Sequence, residues 1–275
     1  MSRLITNKPL ILLHGWGATP AIWQPLTDAL NTLNPGRKVL TPALPGYQSD
    51  QTISDWAGDQ AQLPQVIDQL QLPTDAHWLG WSLGGNLLLE IAHFLAEQHQ
   101  PLPHSLTLLC SNPSFQQRGD HTAAMPEETL SQFRSGFDLQ PEKTLKRFQR
   151  LQQQGESDLR AVKKLLAELS PKKRSLKEQS PKRLPASAET LANGLTALSV
   201  LDQRAYTNLA ESGCPTLWLL AENDPLVPAA TAEQLNHKLL TDCGHLPMLS
   251  QPEPLARLIH DTLTRLESTH RASQP

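Results

Sequence analysis

Cysteine is scarce: three in 275 residues, at Cys110, Cys214 and Cys243. An odd, scattered set with no Cys-x-x-Cys pair excludes a disulfide framework and a cysteine zinc site, and it reads as buried or incidental thiols in a reducing compartment. No His-Glu-x-x-His pair and no glycine-rich phosphate loop occurs, so neither metal nor nucleotide is implied and no cofactor is expected. No apolar run approaches the length of a membrane span. The first apolar run, Leu10–Leu13, is cut short by His14 and Gly15. It is too short for a signal peptide, and a cytoplasmic monomer is expected, with neither nucleic acid nor membrane as partner. Aromatic residues make up only 5%, against 39% hydrophobic and 19% charged. That balance fits a globular chain with one large core, or one core plus a small insert.

Net charge is −3, but it is unevenly spread. Between Lys143 and Arg183 stand 13 Lys and Arg against four acids, a net of +9, so the rest of the chain carries −12. A basic segment on an acidic body suits an acidic partner; a solvated helical face with a polar loop would carry the same charges.

Short apolar runs alternate with helical patterns. Strands are expected at Leu10–Leu13, Lys38–Thr41, Ala76–Leu79, Ser105–Leu109, Thr216–Ala221 and Lys238–Thr241. Most are continuously apolar, as in strands buried on both faces of a parallel sheet. Helices are expected at Ala21–Leu33, Ile53–Leu70, Gly85–Glu97, Ala229–Asn236 and Glu253–Glu267. This alternation predicts a mostly parallel α/β sheet flanked by helices. It breaks from Phe115 to Leu201, where Thr144–Gln153, Leu159–Leu169 and Leu191–Leu201 have helical periodicity and Pro171–Ser187 reads as a basic loop. The division expected is a core of residues 1–114 and 202–275 with an inserted helical cap of 115–201. Ligands of open α/β sheets bind at the strands' carboxyl ends, where such a cap would form a roof.

Gly80-Trp81-Ser82-Leu83-Gly84 has the Gly-x-Ser-x-Gly form, between an apolar strand and a helical run. That context suits a nucleophile elbow, in which a strained turn lifts the serine hydroxyl clear of the sheet. A plain strand–turn–helix with packing glycines would share the pattern, so the rest of the chain decides. A serine needs a base, usually a histidine oriented by a carboxylate, here in the chain order Ser, acid, His. Asp224 follows the strand Thr216–Ala221, and His245 follows the last strand. Glu222, Asp202 and Asp242 are weaker alternatives for the acid, and Asp224 could serve only as a turn residue. Backbone amides of Leu83 and of Trp16, in His14-Gly15-Trp16-Gly17, are the expected oxyanion donors.

These residues also carry a family resemblance. Leu12-Leu13-His14-Gly15-Trp16-Gly17, Leu44-Pro45-Gly46-Tyr47 and Trp78-Leu79-Gly80-Trp81-Ser82-Leu83-Gly84-Gly85 resemble the pimeloyl-[acyl-carrier protein] methyl ester esterases. The likeness extends into the cap through Arg147–Gln152, Leu159–Lys164 and Asn193-Gly194-Leu195. Ala43 and Gln48 depart from the family pattern beside a turn, the cap segment between the helices Thr144–Gln153 and Leu159–Leu169 is shorter, another family arginine has no counterpart, and Pro171–Ser187 resembles an insertion. The resemblance implies an α/β-hydrolase fold and a serine carboxylesterase. It implies a substrate too, the methyl ester of pimeloyl-[acyl-carrier protein] in biotin synthesis. It further implies an acyl site of Trp16, Trp81, Phe115, Phe133, Phe148 and Gln152, and carrier docking through Lys143, Arg147 and Arg160. The rival readings are a general short-chain carboxylesterase without carrier specificity and a ligand receptor that keeps the fold without catalysis.

Overall fold

The computed structural model describes residues 7–47, 56–57, 60–169 and 184–272. Within them six strands form one sheet: β1 (Leu10–Leu13), β2 (Val39–Leu40), β3 (His77–Trp81), β4 (Ser105–Leu109), β5 (Thr216–Ala221) and β6 (His237–Leu240). All pairings are parallel, in the order β2-β1-β3-β4-β5-β6. The run Leu10–Leu13 is apolar throughout because both sheet faces are covered. Leu10 and Leu12 enter one core cluster, Ile11 and Leu13 the other.

Helices α1 (Gln24–Leu33), α2 (Leu63–Leu70) and α3 (Leu83–Glu97) follow β1, β2 and β3. Four more, α4 (Glu127–Leu139), α5 (Pro141–Gln152), α6 (Leu159–Leu169) and α7 (Ala188–Val200), form the cap inserted between β4 and β5. The short α8 (Pro247–Ser250) and the long α9 (Pro252–Ala272) close the fold. Among the described residues no helix is long and apolar enough to cross a membrane. The chain therefore has the α/β-hydrolase architecture: a parallel sheet, flanking helices and a helical cap.

Several elements differ from expectation. β3 continues through Trp81, which carries the chain to the elbow. β6 begins one residue early, and as an edge strand it alternates exposed and half-buried positions. The expected helix Ala229–Asn236 is a 3-10 turn, Ala229–Gln234, because Leu235 is already extended (φ −116°, ψ 146°). A 3-10 turn, Pro20–Trp23, precedes α1. Of the expected helix Ile53–Leu70, α2 forms the end; residues 53–55 and 58–59 lie outside the described residues, as do 171–183 of the basic loop. Ser187 closes that loop by accepting the Thr190 amide at 3.0 Å, which starts α7.

Candidate active site

Ser82 stands between β3 and α3 with φ 55° and ψ −126°. A left-handed φ strains any residue with a side chain, and such strain persists where the surroundings enforce it. The enforcing contacts are visible. A Cβ at Gly80 would lie 2.5 Å from the Gly85 amide, and one at Gly84 would overlap the His14 carbonyl. The Ser82 amide bonds the Leu109 carbonyl at 2.9 Å, and Ser111 Oγ donates to the Ser82 carbonyl at 2.9 Å. Only glycine fits on either side of this turn.

The loop after β1 lies against the elbow. A Cβ at Gly15 would sit 2.9 Å from the Ser82 Cβ. Among the described residues, the amides of Trp16 and Leu83 donate to no protein acceptor outside regular structure. Leu83 opens α3, so its N–H has no intrahelical partner. His14 holds this loop from within. Its Nδ1–H donates to the Gly15 carbonyl at 2.9 Å, and its Nε2 accepts the Leu44 amide at 3.1 Å. Burial lowers its pKa to about 4, so the ring is neutral at pH 7 and can fill both roles. Tyr47 adds a third tie by accepting the Gly17 amide at 3.0 Å.

Asp224 and His245 meet. Nδ1 of His245 lies 2.7 Å from Asp224 Oδ2, with both side chains buried. The other carboxylate oxygen accepts the amides of Leu226 (2.8 Å) and Val227 (3.0 Å). These bonds fix the carboxylate and put the imidazole proton on Nδ1. Among the described residues, Nε2 of His245 is buried without a protein partner. The ring packs 5.3 Å from Trp81, the residue before Ser82. The rival acids are engaged elsewhere. Asp202 binds Arg204, and the Glu222 carboxylate accepts the Asp242 amide at 3.1 Å. Cys110, Asp224 and His245 together resemble a metal-ligand set. The facing His245 and Asp224 atoms are already paired, however, and burial pushes the Cys110 thiol far up, so it stays protonated.

The cap closes over this group. Trp16 donates from Nε1 to the Leu191 carbonyl at 2.8 Å, and Gly194 lets α7 descend onto Trp16 and Leu83. Phe133, Phe137 and Phe148 meet the Trp16 ring edge-on at 6.0, 5.8 and 4.9 Å. Phe137 is a contact absent from the sequence expectation. Phe115 shares the buried cluster, and Gln152 is buried with Nε2 unpartnered among the described residues. Ser82 is only 6% exposed, so the site is roofed. A cavity of about 560 Å³ beside His99 and His104 opens at the opposite strand ends. On the cap's outer surface Lys143, Arg147 and Arg160 are exposed and form no ion pair among the described residues.

A second serine–histidine–carboxylate chain lies at those opposite ends. His77 contacts Ser105 Oγ at 2.8 Å through Nδ1 and Glu267 at 3.2 Å through Nε2. Ser105 and His77 are the first residues of β4 and β3 and directly opposite in register. Both are buried in regular strand, with no elbow to present the hydroxyl. Glu267 is also bound by the two terminal nitrogens of Arg37, at 2.9 and 3.1 Å. Burial would raise the Glu267 pKa, but the bonds from His77 and Arg37 hold it at about 2. This chain ties α9 to the floor of the sheet.

Residues 10–258 match the family described as "Alpha/beta hydrolase family". A pimeloyl-[acyl-carrier protein] methyl ester esterase of Aromatoleum aromaticum is 35% identical, over 94% of this chain and 99% of that protein. A biotin biosynthesis bifunctional protein BioHC of Cellvibrio japonicus is 34% identical over 94% of this chain and 48% of its own length. Among solved structures, an esterase from Exiguobacterium antarcticum superposes with a TM-score of 0.72 at 20% identity, covering 94% of this chain and 92% of that one.

Proposed function

The chain belongs to the α/β-hydrolase family and, within it, to the pimeloyl-[acyl-carrier protein] methyl ester esterases; it is a carboxylesterase, and we propose that it removes the methyl group of a pimeloyl ester borne on acyl carrier protein. The observation that carries the site assignment is the buried His245–Asp224 pair, 2.7 Å apart, with Nε2 of the imidazole unpartnered.

In this reading Ser82 Oγ attacks the ester carbonyl carbon and its proton passes to His245 Nε2. The resulting imidazolium is stabilised by Asp224. Negative charge on the carbonyl oxygen is met by the amides of Trp16 and Leu83, donors already free and held in place by His14 and Tyr47. Each such donor is worth about 10²–10³ in rate. Collapse expels methanol, which takes the proton from His245. Water then attacks the acyl-enzyme by the same route and releases the free acid.

The roof of Trp16, Phe133, Phe137 and Phe148 gives an apolar wall suited to a methylene chain. The unpaired cations of α5 and α6 suit an acidic carrier, and complementarity of this kind speeds encounter more than it adds affinity. The test is methyl release from methyl-pimeloyl-[acyl-carrier protein], read by intact-protein mass spectrometry beside methyl pimelate. Carrier-preferring demethylation is expected. The double variant Arg147→Glu, Arg160→Glu should raise KM for the carrier-bound ester and leave the small ester unchanged. Equal rates on both substrates in the wild type would make this a general short-chain esterase.

A further inference from the structure

Between α5 and α6 the chain crosses from one face of the sheet to the other. Leu145 and Phe148 of α5 belong to one core cluster, Val162 of α6 to the other. The crossing passes over the strand ends and wedges between the loops of Asp224 and His245. Gly155 (φ 81°) approaches the Asn223 carbonyl so closely that a Cβ would overlap it. A Cβ at Gly244 would lie 2.5 Å from the Gln154 carbonyl and 3.0 Å from Glu156 Oε1. Both glycines are where two backbones need to touch.

Glu156 is the polar centre of this wedge. It is 8% exposed, and its Oε1 accepts the Leu246 amide at 2.6 Å, while among the described residues Oε2 is buried without a protein partner. That amide belongs to the peptide joining His245 to Leu246. The oxygen of the same peptide accepts Trp81 Nε1 at 2.9 Å. One peptide plane is thus held at its oxygen by β3, beside the nucleophile, and at its nitrogen by the cap. Burying a carboxylate with one oxygen unspent is costly, and a charge-assisted bond to an amide is correspondingly short and strong.

We infer that Glu156 is a positioning residue for the His245 base, through which the cap sets the imidazole against Ser82. The inference rests on the assignment of Ser82, Asp224 and His245 above. It makes the cap part of the hydrolytic apparatus as well as the roof of the acyl site. A misplacement of about 1 Å at a reacting group costs up to about 10² in rate, so the tie has room to matter.

The experiment compares wild type, Glu156→Ala, Glu156→Met, Glu156→Gln and Ser82→Ala on a small methyl ester that needs no carrier. It reads kcat, KM, the melting temperature and the downfield proton resonance of His245 Nδ1. Glu156→Ala and Glu156→Met should lower kcat by about 10- to 100-fold, with KM within a few-fold, and should shift or broaden the resonance. Glu156→Gln, which keeps the acceptor, should restore kcat to within a few-fold of wild type. Met fills the volume without accepting a bond. Wild-type kcat and an unmoved resonance in either the Ala or the Met variant, whatever the melting temperature, would overturn the inference. Turnover retained in Ser82→Ala would instead overturn the assignment on which it rests.

Discussion

His14 should make the protein's stability depend on pH in a window that can be calculated. Its pKa stands at about 4 in the folded chain against an ordinary 6.5, because burial disfavours the charged ring. Between those values the unfolded chain takes up a proton that the native state refuses. Stability is therefore full above pH 6.5, falls as pH drops through the window and levels off below about 4. The whole gap is worth about 3 kcal/mol, and about 2 kcal/mol is already lost at pH near 5. Protonation would also put a donor at Nε2 against the Leu44 amide, loosening the loop that carries Trp16. The assay is urea unfolding of wild type and His14→Gln across this range. His77, whose pKa burial also lowers, acts in the same direction in both proteins and cancels in the difference. Glu267, at about 2, acts only below its ordinary 4.5. Wild type should lose about 2 kcal/mol more than His14→Gln between pH 7 and 5. Parallel curves would refute the argument.

Other perturbations follow from single contacts. Gln203 donates to Glu90 at 2.8 Å and to the Asn86 carbonyl at 2.9 Å, and accepts from Asn86 at 2.7 Å, all buried. Gln203→Leu should cost about 2–4 kcal/mol in urea unfolding, because among the described residues the buried Glu90 then keeps the bond from Tyr206 alone. Gly84→Ala would drive a methyl group into the His14 carbonyl. It should lower the melting temperature and reduce kcat at least tenfold, since the same shift moves the elbow and the Trp16 loop together.

What the sequence disclosed depended on how far each signal reaches along the chain. β1, β4 and β5 were legible to the residue because strands buried on both faces are continuously apolar. The elbow was legible because local sterics demand small residues at Gly80 and Gly84. Asp224 and His245 were placed by chain order and strand ends, and the structure brings them together. The turn at Ala229–Gln234 reads as a helix from sequence alone, since a segment this short carries no decisive periodicity between Pro228 and the extended Leu235. α4 is legible only as part of the cap, although Pro126 and the first-turn Glu127 and Glu128 mark its start. Glu156 carried no local signal at all: its partner, Leu246, is 90 residues away. Arg37, His77 and Glu267 are likewise joined only by the fold, through separations of 230 and 190 residues.

In the proposed mechanism the strand-end group around Ser82 performs the chemistry, and the chain around Ser105 does not. A fluorophosphonate reacts with an activated serine and stays attached, so the labelled peptide reports which one is nucleophilic. Label is expected on Ser82 alone, lost in Ser82→Ala together with esterase turnover, while Ser105→Ala keeps both. Label on Ser105, or turnover surviving in Ser82→Ala, would contradict it.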